Sequence, residues 1–271
     1  MKYPFNTTTF AALCLLCGSL ATGAASAATC TSASTSTEQS LQSIIDGITV
    51  GGPSSITTNT DCLDNSALWE FNATGTASSS MVIEIAGFAA LNEMGIYDPS
   101  DGEMITLFTG AASAGDRVSV DIDTAGNVVT YNSSGPIDSG DLAANVFGFY
   151  LTSGGGTTYY SDSSENLGGS TQMLAYQGNG TDLIDAFVIG GAPWSTNEYL
   201  LAWEDLPSFV EANGNGLTPA GAVTCPSSGD CDFNDLVVMV ESVQPIPVPA
   251  AVWLFGSGLL GLVGIARRRK A

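Results

Sequence analysis

The 271-residue chain has no histidine, and only 6 lysines and arginines stand against 27 aspartates and glutamates. Without histidine, neither a Ser-His-Asp hydrolase nor a cysteine nucleophile with a histidine base can be assembled. The bases are too few to displace counterions from nucleic acid or to clamp a transferring phosphoryl group. These absences exclude nucleic-acid binding, histidine-dependent hydrolysis and phosphate chemistry.

The few bases lie almost entirely at the two chain ends. Lys2 is near the N-terminus, residues 267–270 are basic, and only Arg117 is basic between them. Residues 28–249 therefore carry a formal charge of −26. Such a body repels anionic surfaces and attracts divalent cations. Two interpretations of this negative charge stay open: it serves simple solubility, or it binds specific cations.

The N-terminal 27 residues predict a secretory signal peptide. Lys2 is followed by a short apolar stretch at residues 10–20 and by Ala25-Ser26-Ala27, a small-residue cleavage pattern. We expect cleavage between Ala27 and Ala28. The apolar stretch is too short for an uncleaved anchor.

The C-terminal end predicts a single membrane helix. Residues 250–266 form a run of 17 apolar or small residues, which spans about 25 Å as a helix. The bases that follow should stay cytoplasmic, which places the acidic body outside. These bases are Arg267, Arg268, Arg269 and Lys270.

Residues 246–270, IPVPAAVWLFGSGLLGLVGIARRRK, resemble the PEP-CTERM sorting tail of Gram-negative bacteria. In that family a Pro-Glu-Pro-like motif precedes a short membrane helix and an arginine-rich end. Here the motif is Pro247, Val248 and Pro249, with valine in place of glutamate. The resemblance implies an exosortase partner that removes the tail, so that an inner-membrane intermediate reaches the cell surface or the medium. An ordinary single-pass anchor is the alternative.

Four cysteines remain in the body after the signal: Cys30, Cys62, Cys225 and Cys231. In an oxidising compartment they suggest two disulfides, with three possible pairings. Proximity favours Cys30 with Cys62 and Cys225 with Cys231. A zinc site is disfavoured, because the body has no histidine and no Cys-x-x-Cys pair.

The pattern of the body predicts an all-β fold, a β-sandwich or jelly roll. Short apolar or alternating runs recur about every ten residues between turn-forming residues. The spacing of Leu41, Ile44, Ile45 and Ile48 instead predicts a short amphipathic helix. Strands are predicted at residues 68–72, 81–86, 104–109, 117–123, 128–131, 146–152, 171–176, 183–189, 200–204 and 236–242.

The body has no strong repeat or clear linker, so one domain is the default prediction. We distinguish an N-terminal β-rich part, residues 28–144, from a C-terminal β part, residues 145–243. A boundary between two separate domains near Gly140 is the alternative.

Two acidic segments of the C-terminal part predict a Ca²⁺ site. One is Glu204-Asp205, and the other is DCDFND at residues 230–235. Alternate residues of a tight loop can turn their oxygens towards one centre, and Ca²⁺ takes 6–8 oxygen ligands. Asx turns without a metal are the alternative. The predicted ligands are Glu204, Asp205, Asp230, Asp232, Asn234 and Asp235.

The second acidic segment imitates an EF-hand loop but does not fit one. Asp235 stands at position 6, where the sharp turn needs glycine. The valines that follow predict a strand, which would place Glu241 about 20 Å from Asp235. A Ca²⁺ site here therefore needs Glu204 and Asp205 as partners.

The segments Trp203-Glu-Asp-Leu and Asp230-x-Asp-Phe-Asn-Asp-Leu-Val-Val also resemble the signature of an uncharacterised extracellular domain family. Phe147-Gly-Phe-Tyr-Leu and Thr158-Tyr-Tyr-Ser fit the same family, which covers residues 145–243. Its members often precede a PEP-CTERM tail. The resemblance implies no established catalysis and favours Ca²⁺ at the acidic motif.

We therefore predict a non-enzymatic cell-surface or extracellular-matrix protein, stabilised by Ca²⁺, in adhesion or in association with exopolysaccharide. A secreted hydrolase that uses two carboxylates is one alternative. The other is a carbohydrate-binding module with an aromatic platform. The candidate platform residues are Trp69, Trp194, Trp203, Tyr159 and Tyr160.

Overall fold

The computed structural model describes residues 39–63, 66–72, 75–84, 89–143, 145–185, 191–206 and 231–246, with backbone alone at 75–84. No helix within these ranges is long and apolar enough to cross a membrane. Several predicted features lie outside the described residues: the cleavage site Ala27–Ala28, the sorting residues Pro247, Val248, Pro249, Arg267, Arg268 and Arg269, the helix 250–266, Cys30, Cys225 and Asp230.

The described residues are mostly β-strand with one short α-helix, which confirms the all-β prediction. Three short 3₁₀ turns, at Ala89–Leu91, Ser163–Glu165 and Leu167–Gly169, complete the regular structure. The elements are α1 (Leu41–Ile48), β1 (Trp69–Phe71), β2 (Gly75–Glu84), β3 (Glu93–Tyr97), β4 (Met104–Phe108), β5 (Arg117–Ile122), β6 (Asn127–Asn132), β7 (Gly135–Asp141), β8 (Val146–Thr152), β9 (Thr158–Tyr160), β10 (Met173–Gln177), β11 (Leu183–Ile184), β12 (Ala192–Pro193), β13 (Glu198–Trp203), β14 (Leu236–Glu241) and β15 (Val243–Pro245).

Two large antiparallel sheets organise these strands. One sheet has the order β15-β1-β8-β3-β4, with β9 paired to β8, and the other has the order β10-β13-β14-β2-β5-β6-β7. Strands β11 and β12 form a small third sheet. Both large sheets mix strands from before and after residue 145, since β3 pairs with β8 and β2 pairs with β14.

The two large sheets share one hydrophobic core, called here the first core. Trp69 and Phe149 of the six-stranded sheet pack there at a centroid distance of 5.5 Å. Val118 and Val120 of β5 enter it from the seven-stranded sheet. Because side chains alternate along a strand, the residues between these valines face outwards.

A second core lies on the outer face of the seven-stranded sheet, where α1 and the small sheet cover part of it. Ile44 and Ile45 of α1 are fully buried against Leu200 and Trp194. The helix begins after Ser40, whose hydroxyl accepts a hydrogen bond from the Ser43 amide at 3.3 Å. The helical spacing of the sequence is thus confirmed.

Strand β13 is buried on both faces, because it lies between these two cores. Leu201 and Trp203 face the first core, and Leu200 and Ala202 face the second. A strand held from both sides is a rigid support for the residues that follow it. Those residues are Glu204 and Asp205.

Candidate metal centre

The two acidic segments meet at one edge of the seven-stranded sheet. Trp203, the last residue of β13, pairs with Leu236, the first residue of β14. The Asp235 amide donates to the Trp203 carbonyl oxygen at 3.2 Å. Antiparallel pairing therefore brings Glu204-Asp205 beside residues 231–235. This meeting is what the predicted set of ligands requires.

The acidic residues at this junction are buried, and we call them the acidic cluster. Their exposed fractions are 0 % for Glu204 and Asn234, 1 % for Asp232, 4 % for Asp205 and 6 % for Asp235. Surface acids that serve only solubility would be exposed. The burial therefore separates this cluster from the other acidic residues that the structure describes, apart from Asp98, which is 2 % exposed.

Asp205 and Asp235 are joined by a hydrogen bond from backbone to carboxylate. The Asp205 amide donates to Asp235 Oδ2 at 2.7 Å. Asp205 Oδ2 in turn accepts from Asn92 Nδ2 at 3.0 Å, and Asn92 Oδ1 accepts from the Gly154 amide at 2.9 Å. The chain of bonds links the cluster to residues that flank β3 and β8 in the opposite sheet.

The side chain of Asn234 has a fixed orientation with its oxygen directed away from its hydrogen-bond partners. Its Nδ2 donates to the Gln39 carbonyl oxygen at 2.7 Å and to Asp232 Oδ2 at 2.9 Å. Both amide hydrogens are used on oxygen acceptors, so a flipped amide would place oxygen against oxygen. Asn234 Oδ1 is buried and accepts no hydrogen bond from the described residues.

The loop that carries Asp232 and Asn234 contains two non-glycine residues in the left-handed region. Cys231 has φ 49° and Phe233 has φ 53°. Positive φ is uncommon for such residues and costs on the order of 1–3 kcal/mol each. Their burial in the second core holds this backbone in place.

Tyr159 of β9 lies within electrostatic reach of the acidic cluster. Burial raises the pKa of its phenol, and the carboxylates of Asp205, Glu204 and Asp235 raise it further, against the lowering effect of a hydrogen bond with Thr157. The cluster therefore projects a negative potential into its surroundings.

Arg117, the only base within the described ranges, lies away from the cluster along the sheet. It pairs with Ser80, and Ser80 pairs with Met239, four residues beyond Asp235. Four residues of strand span about 13 Å. The compensating charge for these buried carboxyl groups is therefore not supplied by Arg117.

The predicted ligands are brought together in part. Within the described ranges, no group of three or more Cys, Asp or Glu side chains is placed to hold a metal ion. A complete oxygen shell must therefore include other donors, such as Asn234 Oδ1, backbone carbonyls or Asp230. Sequence reasoning missed Asn92, which touches Asp205, because no local pattern marks a residue 113 positions away.

Two further predictions concern Glu241, at the last position of the imitated EF-hand loop, and the cysteines. Glu241 ends β14 opposite Glu198, far from the acidic cluster, as the strand pattern predicted. Cys62 is disulfide-bonded. Cys225 lies outside the described residues, so its predicted pairing with Cys231 stays a prediction. Cys231 is buried. Its side chain packs in the second core with Phe233.

The predicted aromatic platform is not formed. The rings of Trp69, Trp194 and Trp203 are fully buried, and Tyr159 is only 7 % exposed. Tyr160 packs edge-on against Tyr97 at 4.9 Å. Rings inside the cores cannot stack on a sugar from solvent, so these residues are packing residues.

Comparison of the chain with models of protein families, with curated proteins and with solved structures finds no match.

Proposed function

We propose that this chain is an exported, non-enzymatic cell-surface or matrix protein whose β-sandwich body is stabilised by Ca²⁺. Its role is adhesion or association with exopolysaccharide. An exosortase removes its C-terminal tail. The export and sorting part rests on the two chain ends, and the Ca²⁺ part rests on the acidic cluster.

The observation that carries the Ca²⁺ proposal is the burial of four carboxyl groups at one strand junction. Glu204, Asp205, Asp232 and Asp235 are each at most 6 % exposed. Removing an ionised carboxylate from water costs several kcal/mol after relaxation. Such groups either take up a proton or pair with a cation.

A divalent cation suits the donors of this cluster better than a proton. The donors are oxygens throughout, which favours Ca²⁺ over the softer transition metals. Asn234 Oδ1 adds a buried neutral oxygen that accepts no other hydrogen bond from the described residues. Extracellular Ca²⁺ modules bind at about 10⁻⁴–10⁻³ M, so a weak site is sufficient outside the cell.

Thermal unfolding with Ca²⁺ and with chelator tests the Ca²⁺ proposal. At about 5 mM Ca²⁺ and a Kd of about 10⁻⁴ M, the folded state gains about 2 kcal/mol. A domain of this size should then melt about 4–8 °C higher. Asp232→Asn removes one donor charge and should abolish most of the rise. Asp185→Asn, at an exposed aspartate outside the cluster, should keep it.

Equal Ca²⁺ shifts in the wild type and in Asp232→Asn would rule out the cluster as the binding site. A wild type that melts at one temperature with and without Ca²⁺ would end the Ca²⁺ proposal. Sorting has a separate test, which is mass spectrometry of the surface-exposed protein. We expect a chain that begins at Ala28 and lacks Arg267, Arg268 and Arg269.

A further inference from the structure

A cleft of about 970 Å³ is lined by the outer face of the seven-stranded sheet and, at its edge, by residues of the first core such as Leu107 and Phe108. The helix α1 and the small sheet cover β10, β13 and part of β14, and Ile184 and Ala192 of the small sheet line the cleft. The floor crosses the sheet from β14 to β6. This cleft is separate from the acidic cluster, which lies at the opposite end of β14.

Some polar residues of the cleft lie on one face of the sheet, and others, such as Asp116 and Ser133, lie in the loops beside it. Arg117 and Ser119 alternate with core residues of β5, so both face outwards. Ser119 pairs with Tyr131 of β6, which is half-buried beside it. From β14 to β6 the floor crosses three strand spacings, about 14 Å. This width admits a chain of several rings rather than a single ion.

Two carboxylates stand side by side at the other wall of the cleft. Glu198 and Glu241 are directly opposite in the β13–β14 ladder, a like-charge arrangement that costs stability. Met239, on the same face as Glu241, provides an apolar surface between them and the rest of the floor. The cleft thus combines paired acceptors, an apolar strip and an aromatic ring.

The chemistry of these groups selects the ligand class. Ionised Glu198 and Glu241 only accept hydrogen bonds, whereas Arg117 only donates. Hydroxyl groups satisfy both, because each is a donor and an acceptor. An acidic ligand is disfavoured, since the chain carries a net charge of −21. The ligand is therefore rich in hydroxyl groups and not anionic.

We propose that this cleft binds an uncharged polysaccharide chain, with Tyr131 and Met239 against the apolar faces of its sugar rings. Glu198, Glu241 and Arg117 hold its hydroxyl groups. The proposal rests on the proposed association with exopolysaccharide and names the class of chain and the place of contact. Open clefts with apolar surface and a few placed polar groups are the usual form of such sites.

Calorimetric titration of the purified full chain tests the cleft. The probes are neutral hexasaccharides of glucose, mannose and galactose, with hexagalacturonate and a chitosan hexamer as charged probes. We expect at least one neutral probe to bind, and Tyr131→Ala and Glu241→Gln each to weaken it at least about tenfold. The matched controls Leu167→Ala and Glu165→Gln change exposed residues elsewhere and should bind as the wild type does.

Glu241→Gln keeps the size of the side chain, so it decides the result if Tyr131→Ala does not fold. Tight binding of a charged hexamer alone, or neutral binding that both variants retain, overturns the proposal. Co-sedimentation with the native matrix polysaccharide distinguishes a wrong binding site from a wrong proposed function. If all variants sediment with the matrix, association stands and the cleft is not its site. If the wild type does not sediment, the association itself is wrong.

Discussion

Gly148 of β8 lies directly opposite Tyr97 of β3, and the Tyr97 ring fills the space that a side chain at residue 148 would need. A Cβ at Gly148 would lie 2.2 Å from Cε1 of that ring. The relationship repeats in reverse two residues away, where Tyr150 lies over Gly95. Aromatic rings that cover glycines of the neighbouring strand thus hold the middle of the six-stranded sheet together.

Gly148→Ala should destabilise the protein by about 1–3 kcal/mol, because the new methyl group displaces the Tyr97 ring from a packed position. Urea unfolding measures the change. Gly47→Ala is the matched control, since no atom lies within 4 Å of the added methyl group on α1. Alanine within a helix should stabilise by up to about 1 kcal/mol. Equal effects of the two substitutions would show that ring contact is not the cause.

Asp98→Ala should cost about 2–3 kcal/mol at pH 7, because two amides lose a charged acceptor. Asp98 is 2 % exposed, and its carboxylate accepts from the amides of Ser100 and Ala143, both at 2.6 Å. Denaturant unfolding of the wild type and the variant at pH 7 measures the loss. A loss below about 0.5 kcal/mol would contradict the assignment.

The same interaction should depend on pH. Burial acts to raise the pKa of Asp98, but the hydrogen bonds from Ser100 and Ala143 outweigh it and lower the pKa below its ordinary 3.8. The stabilisation is therefore present above about pH 4 and is lost as the pH falls through the folded-state pKa. The difference in unfolding free energy between Asp98→Asn and the wild type should become smaller in acid. A difference that stays constant from pH 7 to pH 2.5 would show that the charge of Asp98 is not the cause.

Glu198→Gln should have the opposite pH dependence. Burial raises the pKa of Glu198 above its ordinary 4.5, as does Glu241, while a hydrogen bond from the Ser195 amide lowers it. The folded state then binds its proton more tightly than the unfolded state. Stability therefore falls as the pH rises above about 4.5.

The glutamine side chain still accepts a hydrogen bond from the Ser195 amide but carries no charge. The free energy of unfolding of Glu198→Gln should therefore be higher than that of the wild type by about 0.5–1 kcal/mol at pH 7, a value that allows for solvent screening. At pH 3.5 the variant and the wild type should be equally stable. Melting curves at the two pH values measure the difference. Glu165→Gln, at an exposed position, should leave stability unchanged at both values. A gain at pH 3.5 as large as at pH 7 would indicate packing instead of charge.

The strands that the sequence predicted have a clear apolar pattern, whereas the missed strands β7 and β3 do not. All ten predicted strands overlap observed ones, because their apolar residues alternate or run together. The missed β7 is a polar edge strand that contains Pro136, and the missed β3 contains Gly95. An edge strand buries little apolar surface, and a glycine under a neighbouring ring leaves no signal in its own segment.

The sequence by itself determined the all-β class, the helix α1 and the charge of the body, since periodicity and composition are local properties. It also indicated the pair of acidic segments. Only the tertiary structure decided that these acids are buried, that Cys231 packs in the second core, and that the rings of Trp69, Trp194 and Trp203 lie inside the cores. Burial and contact depend on which strands pair, and the pairing of Trp203 with Leu236 joins residues that no local pattern connects.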